Sequence, residues 1–142
     1  MERMIFVNLP VSDLAVATAF YTGLGFSVNE MFPDDSVTSI VISDAIVVML
    51  LKKERFADFV TGEVGDPQQS TSALYCLSAT SPQEVDDLVH KALANGGKPW
   101  KELMQEGPMY GHSFADPDGH VWEVLHMDMS QLEGQASQPT AG

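Results

Sequence analysis

The chain has 142 residues, 44% of them hydrophobic and 19% charged, which places it with soluble globular domains and outside disordered or collagen-like sequences. A domain of this length removes roughly 68–70% of its unfolded surface from water, so it needs neither a disulfide nor a metal merely to fold. Twenty acidic residues against seven Lys and Arg give a net charge of −13, and the only basic run, Lys52, Lys53 and Arg55, is interrupted by Glu54. Phosphate backbones are bound by clustered cations, so no nucleic acid is expected as a partner. The longest wholly apolar run, residues 45–51, is far short of the ~20 residues that cross a bilayer, so no membrane partner is expected. The first residues, Met1-Glu2-Arg3-Met4-Ile5-Phe6, offer no long apolar core and no small-residue cleavage site, and a cytoplasmic location follows as the expectation.

In chain order, residues 5–10 read as a strand. Ser12-Asp13 then opens a helix with Leu14, Ala17, Phe20, Tyr21 and Leu24 at helical spacing, and Gly25 ends it. Strand-like runs follow at 26–31, 37–42 and 45–51, the last two joined through Ser43-Asp44. The connector 52–71 is long for a plain loop; its stripe Phe56, Phe59, Val60 predicts a short helix, with a lid over a cavity as an additional role.

A strand at 73–79 carries Cys76, the single cysteine, which cannot form an internal disulfide and reads as a buried, inert thiol because nothing cationic flanks it. Ser81-Pro82-Gln83-Glu84 is a capping box with proline at the first helical position, followed by Val85, Leu88, Val89, Ala92 and Leu93 and then Gly96-Gly97. Three more strands are predicted at 98–104, 110–115 and 120–127. Asp116-Pro117-Asp118-Gly119 makes the last tight turn, since proline presets φ and glycine supplies positive φ. The small, polar segment 130–142 is expected to be a disordered tail.

The two helix signals stand 69 residues apart with matching caps, stripes and glycine stops, and one strand precedes and three follow each. The chain therefore reads as one α+β domain, 1–129, of two βαβββ units, about 3–51 and 72–129. The helices lie on the outer face, and the open sheet faces form a shared half-barrel cavity.

Val11-Ser12-Asp13-Leu14, Phe20-Tyr21 and Leu24-Gly25-Phe26, together with the closing hairpin Asp116-Pro117-Asp118-Gly119-His120-Val121-Trp122-Glu123, resemble the vicinal oxygen chelate superfamily of glyoxalases, bleomycin- and fosfomycin-resistance proteins and extradiol dioxygenases. The resemblance covers residues 3–128. Met109-Tyr110-Gly111-His112-Ser113-Phe114 is most similar to a bacterial branch related to lactoylglutathione lyase. The resemblance implies a divalent metal held by one side chain from the first and one from the last strand of each unit. Carried onto this sequence, those positions are Phe6, Met49, Leu74 and Glu123. Carbon and thioether side chains do not hold Mg, Mn, Zn or Fe, so the expected metal ligands and cofactor are none.

Glu123 shares a strand face with Val121 and Leu125 and is expected to point into the cavity, either to hold a ligand or as a hydrogen-bonded structural carboxylate. Asn8, on the face of Phe6, is the second inward polar candidate, with a backbone-bonded amide as the other reading. Met49 and Tyr110 are expected as pocket walls and His112 at the cavity mouth, with core filling as the competing role for Met49 and Tyr110. His120 and His126 alternate onto the face opposite Glu123, and His90 lies on the polar side of its helix.

The favoured reading is a binding protein without metal, whose cavity takes a small, partly apolar ligand at Asn8, Met49, Tyr110, His112 and Glu123. The alternative is a divalent-metal-dependent lyase or isomerase of the glyoxalase type using Glu123, with catalytic residues otherwise unassigned. An oxygenase is disfavoured because no histidine lies on the expected strands. A homodimer is expected because this fold, by resemblance, completes cavities or sheet edges through a partner.

Overall fold

The computed structural model of the protein describes residues 2–130, so the expected tail lies outside the described residues from position 131 onward. The first unit consists of β1 (Ile5–Val11), α1 (Leu14–Gly23), β2 (Ser27–Asp34), β3 (Val37–Val41) and β4 (Ile46–Lys52). A short helix, α2 (Lys53–Ala57), opens the connector. The second unit contains β5 (Leu74–Ser78), α3 (Pro82–Ala94), β6 (Lys98–Pro99), β7 (Met104–Glu106), β8 (Met109–Ala115) and β9 (Val121–Met127).

Both main helices start and stop by the same chemistry. The Asp13 carboxylate accepts the Val16 N–H at 3.1 Å, and the Ser81 hydroxyl accepts the Glu84 N–H at 3.1 Å, each satisfying a first-turn donor that the helix cannot. At the other end Gly25 and Gly96 both adopt φ of 102°. The residue after each then returns its N–H to a carbonyl of the last turn, Phe26 to Tyr21 at 3.3 Å and Gly97 to Ala92 at 2.8 Å.

The sheets repeat as well. Strand order is β1-β4-β3-β2 in the first and β5-β9-β8-β6 in the second, with β7 also paired to β8. In each sheet the first and last strands of the unit pair in parallel. The architecture is thus the expected mixed α+β fold of two βαβββ units.

One expected strand, 98–104, is divided into β6 and β7, both antiparallel to β8. Pro99 has no N–H for the ladder, and the Lys101 N–H goes instead to the Ser113 hydroxyl at 3.0 Å.

Strand alternation sends Leu9, Val11, Ile40, Val48 and Leu50 to the helix side of the first sheet, and Phe114, Trp122 and Val124 to the helix side of the second. With Phe20, Tyr21, Val85 and Val89 they form one apolar cluster spanning both units. Three aromatic contacts cross the boundary or border it, with Phe20 against Phe114 and Tyr21 against Trp122 both at 5.9 Å between ring centroids, and Tyr75 against Trp122 at 5.1 Å.

A polar relay is buried at the same boundary. The Tyr21 hydroxyl donates to Asp116 Oδ2 at 2.6 Å and accepts the Trp122 indole N–H at 2.9 Å. Asp116 Oδ1 accepts the N–H groups of Asp118 and His120, both at 2.9 Å. His120 Nε2 donates to the Pro10 carbonyl at 2.8 Å, which fixes its tautomer, and Asp118 accepts the Ser12 N–H at 2.8 Å. The closing turn of the second unit is thereby bonded to β1, α1 and the residue between them.

Tyr21→Phe removes a donor from one buried group and the acceptor of another. We expect it to cost about 2–3 kcal/mol in a denaturant titration, from the price of leaving buried polar groups unpaired.

Burial raises the Asp116 carboxyl above the ordinary carboxylate value, outweighing the opposing effects of His120 and Tyr21. Between the unfolded value and that raised one, the folded chain holds a proton the unfolded chain has released. This group's contribution to stability is therefore complete at the acid end and is lost as pH rises through its folded value. Across that window the stability of the wild type relative to Asp116→Asn is expected to fall as pH rises, measured by denaturant titrations at successive pH values.

Candidate functional site

The faces of the two sheets turned away from the helices remain open. Parallel register sets Asn8 beside Met49, which in turn lies beside Ser39; the corresponding row of the second unit is Cys76, Glu123 and Ser113. Phe6 and Leu74, on the same open faces, are 56% and 55% exposed. Large apolar side chains thus line a surface that the fold itself leaves uncovered.

Two hollows occupy this side, and a third lies at the boundary between the sheets. A cleft of about 970 Å³ belongs to the first unit and is lined by Phe6, Asn8, Met49, Leu51, Arg55 and Phe59, among others. A hollow of about 320 Å³ belongs to the second and includes Cys76, Lys101, Met104, Ser113 and Glu123. Where β1 approaches β5 and β9, a seam cavity of about 250 Å³ is lined by Asn8, Pro10, Phe56, Tyr75, His120 and Val121, together with connector residues. Asn8 lines both the cleft and the seam.

Asn8 donates through Nδ2 to the Phe6 carbonyl at 3.2 Å, an arrangement that turns the amide oxygen free to accept. Met49 stands beside it in the cleft. Glu123 lies in the second unit's hollow, so Asn8 and Glu123 do not line one cavity within the chain: they belong to different sheets with the seam between them.

Tyr110 is not on the open face. Its hydroxyl donates to Asp86 of α3 at 2.7 Å, a bond that raises the phenol above its ordinary value. The expected wall was assigned to the wrong side of β8: since Ser113 is the residue paired with Glu123, Tyr110, His112 and Phe114 alternate toward the helices. His112 borders the second hollow but sits opposite Val124, a core residue. His120 and His126 do take the face opposite Glu123, the latter with Nδ1 at 3.1 Å from the Ala79 carbonyl.

Cys76 is exposed rather than buried, because nothing in the described chain covers the open face of β5. Its thiol is raised by partial burial first and by the Glu123 charge second, so it stays protonated and is a poor nucleophile.

Residues lining these hollows that were not anticipated from the sequence are Arg55 and Tyr75. Arg55 pairs with Asp58 at 3.0 Å and lies over the Phe59 ring at 4.6 Å, at the edge of the cleft. The apolar stripe of the connector was the signal for α2; Tyr75 had none, being one aromatic in an apolar run.

The residues present do not fit a divalent metal. Phe6, Met49 and Leu74 offer no oxygen or nitrogen, Glu123 is a single carboxylate, the neighbours Asn8 and Cys76 supply only an amide and a lone thiol, and no group of three His, Cys, Asp or Glu suited to a metal occurs among the described residues.

The sequence profile of the Glyoxalase/Bleomycin resistance protein/Dioxygenase superfamily matches residues 3–124. The chain belongs to this superfamily. Comparison with proteins of curated function returned no match. Among solved structures, hypothetical protein SA1046 from S. aureus is 28% identical with a TM-score of 0.75, over 89% of this chain and 94% of that one. The genomically encoded fosfomycin resistance protein FosX from Listeria monocytogenes is 18% identical, TM-score 0.66, over 92% and 98%. A lactoylglutathione lyase from Agrobacterium tumefaciens is 19% identical, TM-score 0.62, over 89% and 94%. At these identities the last two are alike in fold alone.

Three of the four positions that the resemblance assigns to metal ligands, Phe6, Met49 and Leu74, are apolar in this chain, and the expected outcome is measurable. A metal bound only by the folded state adds about 2.7 kcal/mol at one hundred times its Kd. Zn²⁺, Ni²⁺ and Mn²⁺ are expected to leave the melting temperature unchanged, and elemental analysis of protein purified without chelator should find no stoichiometric metal that disappears in Glu123→Ala.

Proposed function

We propose that this superfamily member binds a small, partly apolar molecule in the first unit's cleft without a metal. The observation that carries the reading is the cleft itself. It is walled by Phe6, Met49, Leu51 and Phe59, and its polar lining includes the Asn8 amide, Ser39, Arg55 and the carboxylates of Glu30, Asp34 and Asp35. An apolar wall with polar groups along it suits a small, partly apolar ligand. It includes no activated nucleophile. Glu123 serves as a polar group of the second hollow, which Lys101 also lines.

The competing lyase reading rests on Glu123 alone. Among the described residues its carboxylate has no hydrogen-bonding partner, and it stands at the one metal position that retains a ligand-type side chain.

As part of the same proposal the protein acts as a homodimer in the cytoplasm. Ile5 and Phe6 on β1 and Leu74 on β5 are each more than half exposed on strands that lie at sheet edges, where unpaired backbone invites a partner. A single exposed thiol suits a reducing compartment. Sedimentation at micromolar concentration is expected to show the dimer; a monomer alone would remove this part of the reading.

The binding itself is tested with the neutral fluorophore N-phenyl-1-naphthylamine in the presence of chelator. Saturable enhancement is expected, and Met49→Lys, which sets a charge on the cleft wall, should weaken it by about tenfold or more. Metal-dependent lactoylglutathione lyase turnover that is lost in Glu123→Ala would overturn the reading in favour of the enzyme.

A further inference from the structure

Among the described residues that line the first unit's cleft, Arg55 is the one cation. A guanidinium in such a place either anchors an acid or holds a neighbouring side chain, and its contacts decide between the two. Its Nη1 donates to Asp58 Oδ2 at 3.0 Å, and its Cζ lies 4.6 Å from the centre of the Phe59 ring, over the ring's face. Its charge also reaches Asp34, whose carboxyl is held below the ordinary value first by hydrogen bonds from Ser36 and further by Arg55. Glu30 and Asp35 line the same space. The cation is thus committed within the chain, and the carboxylates around it leave a potential that disfavours an anion.

What Arg55 holds is Phe59. α2 lies against β1 and β4, the strands that carry Phe6 and Met49. Just beyond α2 the chain is kept in a tight turn by the N–H groups of Asp58, Phe59 and Val60, which donate to the carbonyls of Arg55, Phe56 and Ala57. The ring that this turn carries is outside the apolar core and 65% exposed. An exposed side chain ordinarily changes rotamer freely. Here a guanidinium tied to Asp58 covers one face of the ring, and a cation over an aromatic face is an attractive contact. The opposite face and the edges are left for whatever enters the cleft, where Phe6 and Met49 are the apolar residues contributed by the sheet.

We propose that Phe59 is a specificity-determining residue for a ligand that carries an aromatic ring and no negative charge, and that Arg55 is a positioning residue that holds Phe59 for this contact rather than an anchor for an acid. This inference rests on the reading of the cleft as the ligand site and adds the chemical class of the ligand to it.

Two matched pairs of probes test it on the full chain. N-phenyl-1-naphthylamine is compared with 8-anilinonaphthalene-1-sulfonate, the same skeleton with a sulfonate added. The sulfonate is expected to bind more weakly by about threefold or more, and Arg55→Gln should not weaken it further relative to the neutral fluorophore. The second pair, 3-phenylpropan-1-ol and 3-cyclohexylpropan-1-ol, is used to displace the neutral fluorophore. Burial of area alone favours the saturated ring, which is the larger and more apolar. Aromatic pairing on Phe59 reverses that order, so the phenyl compound is expected to bind tighter by about threefold or more. Phe59→Leu should abolish this preference and Arg55→Gln should lower it. The melting temperature of both variants should not change, because Phe59 is outside the core and the Arg55–Asp58 pair is exposed.

A sulfonate bound as tightly as the neutral probe or more tightly, or lost selectively in Arg55→Gln, would make Arg55 an acid anchor and overturn the proposal. A saturated ring bound as well as the aromatic one would also overturn it, as would a preference that survives Phe59→Leu or Arg55→Gln unchanged. With Met49→Lys still weakening the fluorophore, these results leave the reading of the cleft in place. Fluorophore binding untouched by Met49→Lys would instead overturn the cleft reading, and this inference with it.

Discussion

The Asp116 carboxylate, 1% exposed, is stripped of water and regains three protein donors: the Tyr21 hydroxyl and the N–H groups of Asp118 and His120. A buried charge is tolerated only when paired or hydrogen-bonded in this way. Its partners come from both repeats. Tyr21 lies on the first unit's helix, and the accepting turn closes the second unit's last hairpin. Because the Tyr21 hydroxyl that donates to Asp116 also accepts the Trp122 N–H, loss of the phenol oxygen disturbs the turn and the core aromatic together. The relay fixes how one repeat sits on the other more specifically than the surrounding apolar cluster, whose contacts carry little directional information.

That placement decides where the functional surface lies. The helix sides of both sheets are used up by one shared core, which leaves the opposite faces as the uncovered surface. Those faces are apolar at three of the four positions where the resemblance leads one to expect metal ligands, and their polar groups are dispersed rather than convergent, with an amide on β1 and a carboxylate on β9 in separate hollows. Metal chemistry needs three or four donors aimed at one point. The proposed binding of a small, partly apolar molecule asks only for an apolar wall with polar groups along it.

The connector adds to this surface rather than merely linking the repeats. α2 follows β4 without a break and carries Arg55, Phe56 and, just beyond its end, Phe59 to the edges of the cleft and the seam. A segment between two copies of a repeat is free to differ from both, which makes it a natural source of features that neither copy supplies.

The sequence by itself determined the elements and their duplication. Helix caps, apolar stripes, glycine stops and the proline-glycine turn are local devices, so Asp13, Ser81, Gly25 and Gly96 could be assigned without knowing what packs where. It also exposed the loss of metal ligands, since Phe6, Met49 and Leu74 are unsuitable in any conformation. The tertiary structure alone decided the faces and neighbours. Tyr110 could be placed only once β8 was in register with β9, because a period of two gives opposite faces to adjacent residues and a shift of one reverses them. Cys76 looked like a core residue because apolar flanks do not reveal whether a sheet face is covered. Asn8 and Glu123 each proved to be on an open face, yet they fall in separate hollows. The place of Tyr75 beside the seam was illegible for a related reason: what surrounds it depends on everything that approaches it, and that is settled only when both repeats and the connector are in place.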